Sequence, residues 1–103
     1  MKKPIINPAS DTHEFRLYVI KGAPHSVHAE LNLNKICKER LSEPYEIEIV
    51  DLLSAPERAL ADGILLTPTL VRIWPLPKIS IFGDLSQTET VLAALGMEYN
   101  TNE

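Results

Sequence analysis

The sequence has a single cysteine, only four glycines and no apolar run of the roughly 18–20 residues that a membrane-spanning helix needs. One cysteine excludes an intramolecular disulfide and a dithiol redox pair, and it is typical of a protein in a reducing compartment. Fourteen acidic and ten basic side chains give a net charge of −4, which argues against a mainly electrostatic binder of nucleic acid. The first residues contain no apolar stretch long enough for a signal peptide, so we expect a soluble, cytoplasmic protein.

The composition is that of an ordinary globular domain. Of the 103 residues, 45% are hydrophobic and 23% are charged, which excludes disorder for most of the chain. This length is enough for one domain and not for two. We expect a flexible N-terminal arm at residues 1–14, a single domain at 15–96 and a flexible tail at 97–103.

The hydrophobic pattern predicts seven elements in the order strand, helix, strand, helix, strand, strand, helix. The predicted strands are residues 15–20, 45–50, 67–74 and 78–82, and the predicted helices are residues 25–41, 54–62 and 86–96. A βαβ unit followed by a ββα unit predicts an α/β fold with one small mixed sheet and helices packed on it. This is the thioredoxin-like order.

Local signals predict where the helices begin and end. Ser54 and Ser86 each stand three residues before a glutamate, which is the spacing of a capping box. Gly63 and Gly96 follow the last two helices and are predicted to end them.

The first helix has one clear apolar stripe. Ala29, Leu33, Ile36 and Cys37 recur at the helical period of about 3.6 residues, which predicts a buried face. Val27 and Leu31 lie away from that stripe. They are either scattered surface residues or a contact between subunits of a dimer or tetramer.

No catalytic, metal-binding or cofactor-binding residues are predicted. In a thioredoxin-like domain, redox chemistry lies between the first strand and the first helix, where residues 20–26 contain no cysteine. His25 and His28 are three residues apart, but only Glu30 is near and no third metal ligand has recognisable spacing, so two solvent-facing histidines are the preferred interpretation. We therefore expect a protein that is not an enzyme and needs no cofactor.

The third strand opens with the bond between Thr67 and Pro68. Thioredoxin-like domains commonly begin this strand with a proline after a cis bond, which makes Pro68 a candidate cis-proline. A trans proline at the start of a strand is the alternative.

Several segments together resemble the KaiB family of circadian-clock proteins. They are residues 17–19, 24–29, 49–52, 64–70 and 82–86, and the similarity runs over about residues 15–96. The sequence TPTL at 67–70 followed by GDLS at 83–86 is the most specific part of this pattern.

The resemblance implies a non-enzymatic regulator that binds the hexameric ATPase KaiC. No nucleic-acid or membrane partner is expected, given the net charge of −4 and the absence of a long apolar run. It also implies two folds: a resting form, often tetrameric, in which residues 68–82 are largely helical and the segment from Ser86 contributes a strand, and a thioredoxin-like binding form. The β-branched residues Val71, Ile73, Ile79 and Ile81 favour strands and so the thioredoxin-like form.

The resemblance also indicates a candidate partner surface, where family members usually carry basic residues. This chain has His28, Glu48 and Gly63 at such positions, while Arg72 and Lys78 remain basic. Glu48 reverses a charge, which would weaken an electrostatic interface. Two functions follow: a regulator of a KaiC-like ATPase in a circadian, timing or stress-adaptation system, or a redox-silent interaction module of a stress response that does not bind KaiC.

Overall fold

The structure, a computed structural model, describes residues 12–97. Its elements are β1 (His13–Val19), α1 (Pro24–Arg40), β2 (Tyr45–Asp51), α2 (Pro56–Ala61), β3 (Thr69–Trp74), β4 (Ile79–Phe82) and α3 (Thr88–Ala94). Their types and order confirm the prediction. The arm and the tail expected at the two ends lie almost wholly outside the described residues.

The beginning of β1 differs from the prediction. This strand starts at His13, two residues before the predicted start, because the His13 amide donates to the Pro44 carbonyl and His13 pairs with Tyr45 in the parallel ladder. The expected arm at 1–14 therefore overlaps the first two residues of the sheet.

The four strands form one mixed sheet in the order β2-β1-β3-β4. β1 and β2 are parallel, while β3 is antiparallel to both β1 and β4. Because side chains alternate along a strand, β1 sends two sets of residues to opposite faces of the sheet. The second half of the domain contains the strands β3 and β4 and ends in the helix α3. This is the thioredoxin-like arrangement and not the rearranged one.

One face of the sheet is covered by α1 and α3. Phe15, Leu17 and Val19 of β1 pack there in the larger apolar core, together with the buried residues of the two helices. The predicted stripe of α1 is confirmed, since Ala29, Leu33, Ile36 and Cys37 are all buried.

The opposite face is covered by the short helix α2. Tyr18, Val50 and Val71 form a smaller core there with Ala59, which is the buried residue of α2. Within residues 12–97, no helix combines the length and the apolar character that crossing a membrane requires.

Both predicted capping boxes are wrong. The residues that cap α2 and α3 are Ala55 and Gln87, and neither makes a side-chain capping bond. Ser54 instead donates from Oγ to Asp51 Oδ2 at 2.9 Å, and the Ser86 amide donates to Asp84 Oδ1 at 3.0 Å. In each case an upstream carboxylate, a strong acceptor, binds the serine and the helix begins later.

The predicted helix ends are confirmed. Gly63 and Gly96 have φ values of +70° and +69°, a region that a glycine adopts without a side-chain clash. The Ile64 amide donates to the Ala59 carbonyl at 2.8 Å, and the Met97 amide makes the equivalent bond after α3 at 2.9 Å. Both ends are Schellman motifs, which satisfy carbonyl groups that a helix terminus leaves unpaired.

Candidate partner-binding surface

The segment between β1 and α1 holds no thiol. Ser26, in the first turn of α1, is buried, and its Oγ accepts a hydrogen bond from the Ile20 amide at 3.0 Å. Cys37 lies in the larger core, and burial raises the pKa of its thiol to about 12. A thiol that stays protonated at neutral pH is a poor nucleophile, so Cys37 serves as a small core residue.

The loop before β3 contains Pro68, and its bond to Thr67 is cis. The Pro68 carbonyl accepts from the Gly83 amide at 2.9 Å, and Thr69 Oγ1 donates to the Leu66 carbonyl at 2.6 Å. The bonds preceding Pro75 and Pro77 are also cis, which the sequence analysis did not anticipate.

Polar side chains on the α2 face are joined in one ion-pair network. Its members come from β1, β2, α2, the residue after α2 and the residue before β4: Arg16, Tyr18, Glu48, Arg58, Asp62 and Lys78. Every bond in it links residues at least ten positions apart in the sequence. The network therefore fixes α2 and the β3–β4 loop to the sheet.

Asp62 is the centre of the ion-pair network. Its side chain is 7% exposed and accepts from Tyr18 Oη at 2.7 Å, Lys78 Nζ at 2.8 Å and Arg16 Nη1 at 2.9 Å. Burial raises the pKa of this carboxyl, but the bonds from Lys78, Tyr18 and Arg16 outweigh burial and bring the pKa to about 2. Asp62 is therefore ionised at neutral pH.

Glu48 is the second carboxylate of the network. Arg58 binds it with both guanidinium Nη atoms, at 2.6 and 2.8 Å, and Arg16 Nε adds a third bond at 3.1 Å. The bonds from Arg58, opposed by partial burial and assisted by Arg16, lower the pKa of Glu48 to about 2. The negative charge of Glu48 is thus compensated within the molecule by two guanidinium groups.

Four members of the network were not predicted as site residues from the sequence: Arg16, Tyr18, Arg58 and Asp62. One signal was available for the first two, because they alternate with apolar residues of β1 and must face away from the larger core. The others had no such signal, since α2 is too short to show a periodic pattern.

The expected surface residues fall into two groups. Glu48 and Lys78 belong to the ion-pair network, and Gly63 follows its central residue, Asp62. His28 is exposed on α1, which packs on the other face of the sheet, so it does not join them.

The placement of Arg72 on an exposed partner surface is wrong. Arg72 is 7% exposed, because strand alternation turns it to the same face as Leu70, beneath α3. Its guanidinium donates to the carbonyls of Leu95 and Pro77.

Within residues 12–97, no three His, Cys, Asp or Glu side chains lie close enough together to hold a metal ion. His25 and His28 lie near Asp84, whose pKa is lowered first by hydrogen bonds from Ser86 and then by the two imidazoles. These three side chains are of types that can bind a metal, but they are not close enough together to form a metal site.

Exposed leucines occur close to the network in the sequence. Leu60 of α2 is 79% exposed and Leu65 of the following loop is 91% exposed, while Leu53 and Leu66 are also largely in water. Aliphatic side chains on a surface that also carries arginine are typical of a protein-binding surface. We call the ion-pair network and these four leucines the α2 surface.

The strand order and the placement of the helices define the class, a thioredoxin-like domain, and this one has a single cysteine. Solved structures agree on the fold. The N-terminal domain of Synechococcus elongatus SasA superposes with a TM-score of 0.69 at 17% identity, covering 99% of this chain and 100% of that one. Chloroplastic thioredoxin z gives 0.66 at 17% identity, covering 84% of this chain and 79% of that one.

Sequence comparison identifies one family within this fold class. The KaiB domain model matches residues 16–97. The circadian clock oscillator protein KaiB of Cyanothece sp. is 39% identical over 94 residues, which is 91% of this chain and 90% of the relative. The circadian clock protein KaiB3 of Synechocystis sp. is 42% identical over 80 residues, 78% of each chain. The chain belongs to the KaiB family.

Proposed function

We propose that this protein is a non-catalytic regulator that binds a KaiC-like ATPase through its α2 surface, in a circadian, timing or stress-adaptation system. The α2 surface is the observation that carries the proposal, because exposed leucines lie close in the sequence to a fixed set of charges, on a domain with a single cysteine. Membership of a family whose curated relatives are named circadian clock proteins supplies the class of partner.

The charges of the network favour a partner whose binding surface is acidic. Three cations, Arg16, Arg58 and Lys78, face two carboxylates, so the network carries a net charge of +1. One carboxylate, that of Asp62, is buried beneath its donors, whereas the Lys78 side chain is 50% exposed. Complementary charges of this kind set the association rate and the choice of partner more than they set affinity.

The test is a binding assay with the KaiC-like ATPase of the same organism, in ATP and with incubation from minutes to a day. Lys78→Glu reverses the most exposed cation of the network and is expected to weaken binding by about tenfold or more. Lys35→Glu is the matched control, because Lys35 is exposed on α1 and faces away from the α2 surface. Equal losses in the two variants would contradict the proposed surface.

Absence of binding by the unmodified protein at every incubation time would contradict the proposed partner. The redox-silent interaction module would then be the better description, with the same fold and the same α2 surface used for another protein.

Self-association is a second part of the proposal. Val27 and Leu31 are 44% and 63% exposed, four residues apart on α1, and so lie on one side of the helix. A second copy of the chain that packs there would form a symmetric dimer or a tetramer.

A further inference from the structure

Arg72 connects two elements of the second half of the domain. Its Nη1 donates to the carbonyl of Leu95, at the end of α3, and its Nη2 donates to the carbonyl of Pro77 at 3.0 Å, in the loop between β3 and β4. Among residues 12–97 it has no hydrogen-bonded carboxylate partner, and its Nε atom is buried without an acceptor. The guanidinium is planar and rigid, so both carbonyls must stay in place for both bonds to persist.

The next residue along the loop belongs to the other face of the sheet. Lys78 follows Pro77, and its Nζ donates to Asp62 Oδ1 at 2.8 Å. Asp62, Lys78, Pro77, Arg72 and Leu95 thus form an unbroken series of covalent and hydrogen bonds from the α2 surface to the end of α3. We call this series the hairpin path.

We propose that the hairpin path couples the α2 surface to the docking of α3, so that a contact which holds Lys78 also holds α3 against the sheet. α3 has seven residues, and a helix of that length depends on tertiary contacts for its stability. α3 exchanges between a docked state, packed against the sheet, and an open state, and the hairpin path shifts the equilibrium between these two states. The coupling is a property of the folded chain and does not depend on the identity of the partner.

A geometric path shows coupling only when removing one contact changes the effect of removing another. The measurement is native-state hydrogen exchange of the Val91 and Leu95 amides, which donate to carbonyls one helical turn earlier. Four proteins are compared: the unmodified chain, Lys78→Met, Arg72→Met and the double variant. Lys78→Met removes the ammonium, leaving Asp62 its bonds from Arg16 and Tyr18.

We expect Lys78→Met to raise the opening constant of α3 about threefold, the size of effect that a partly exposed ion pair gives. In the Arg72→Met background the same substitution is expected to have no effect on these amides, because the loss of the guanidinium removes the second and third hydrogen bonds of the path. Exchange in the middle of α1, at Leu33, is expected to stay unchanged.

Arg40→Met is the control for the removal of an arginine. Arg40 Nη2 binds Glu89 of α3 at 3.0 Å from the side of α1, away from the hairpin path. The effects of Arg40→Met and Lys78→Met on α3 exchange should therefore multiply. The proposal is overturned if Lys78→Met leaves α3 exchange unchanged in the otherwise unmodified chain, or changes it equally with and without Arg72.

Arg72→Lys provides the same comparison if Arg72→Met does not fold. A lysine keeps the positive charge but has a single ammonium in place of the two-nitrogen fork that reaches both carbonyls. Loss of the Lys78→Met effect in this background supports the hairpin path, and its persistence contradicts it.

Discussion

The two faces of the sheet are stabilised in different ways. Under α1 and α3 the contacts are mainly apolar, with Leu17 and Leu33 fully buried and Arg72 as a buried charged residue beneath α3. Under α2 a small core is bordered by charges, and one carboxylate, that of Asp62, receives two hydrogen bonds from β1 and one from the β3–β4 loop. The first face gains its stability from the removal of apolar surface from water, and this contribution changes little with salt or pH. The stability of the second face depends on ionised groups, whose interactions change with both salt and pH.

The largest expected change in the free energy of unfolding comes from a substitution in the larger core, beneath α1. Leu33→Ala creates a cavity beneath α1 and is expected to cost about 2–5 kcal/mol, measured by urea denaturation. Lys35→Ala, two residues away on α1 and exposed, is the control and should cost less than about 0.5 kcal/mol. Similar losses for the two variants would contradict the assignment of the larger core.

On the α2 face, Asp62→Asn should give the next largest effect. The amide keeps the shape of the side chain but removes the charge from beneath Arg16 and Lys78, at an expected cost of about 1–3 kcal/mol. Glu39→Gln, at an exposed position of α1, is the control and is expected to leave the urea midpoint unchanged. An equal shift in both variants would show that the network adds no more than a surface charge does.

The network was much harder to predict from the sequence than the larger core. The stripe of α1 and the helix ends at Gly63 and Gly96 depend on residues within a few positions of one another. The stripe could therefore be predicted from the helical period, and each helix end from a single glycine. The bonds of Asp62 join residues 16, 18 and 78, and no local spacing encodes such pairs. Competition at close range caused the two capping errors, since Asp51 and Asp84 bind the serines that were expected to cap helices.

Acid should weaken the α2 face before the other. The pKa values of Asp62 and Glu48 are about 2 in the folded protein, below their ordinary values of 3.8 and 4.5. The unfolded state therefore binds protons first, so the stability these groups add is present above about pH 4.5 and is lost as the pH falls towards about 2. The urea midpoint measured from pH 7 to pH 2 should fall less steeply in Asp62→Asn, and identical slopes would contradict this assignment.

The smallest effect on the folded monomer, and the most informative on assembly, is expected from Leu31→Ser. Its side chain is largely in water already, so the free energy of unfolding of the monomer should change by less than about 0.5 kcal/mol. If α1 forms the contact between copies, light scattering should show an assembly larger than 11.5 kDa in the unmodified protein and a lower mass in Leu31→Ser. Leu53→Ser alters a leucine that is 73% exposed outside α1, and the assembly should keep its mass in that variant. An unmodified protein that stays monomeric across the micromolar range would show that Val27 and Leu31 are surface residues without a partner copy.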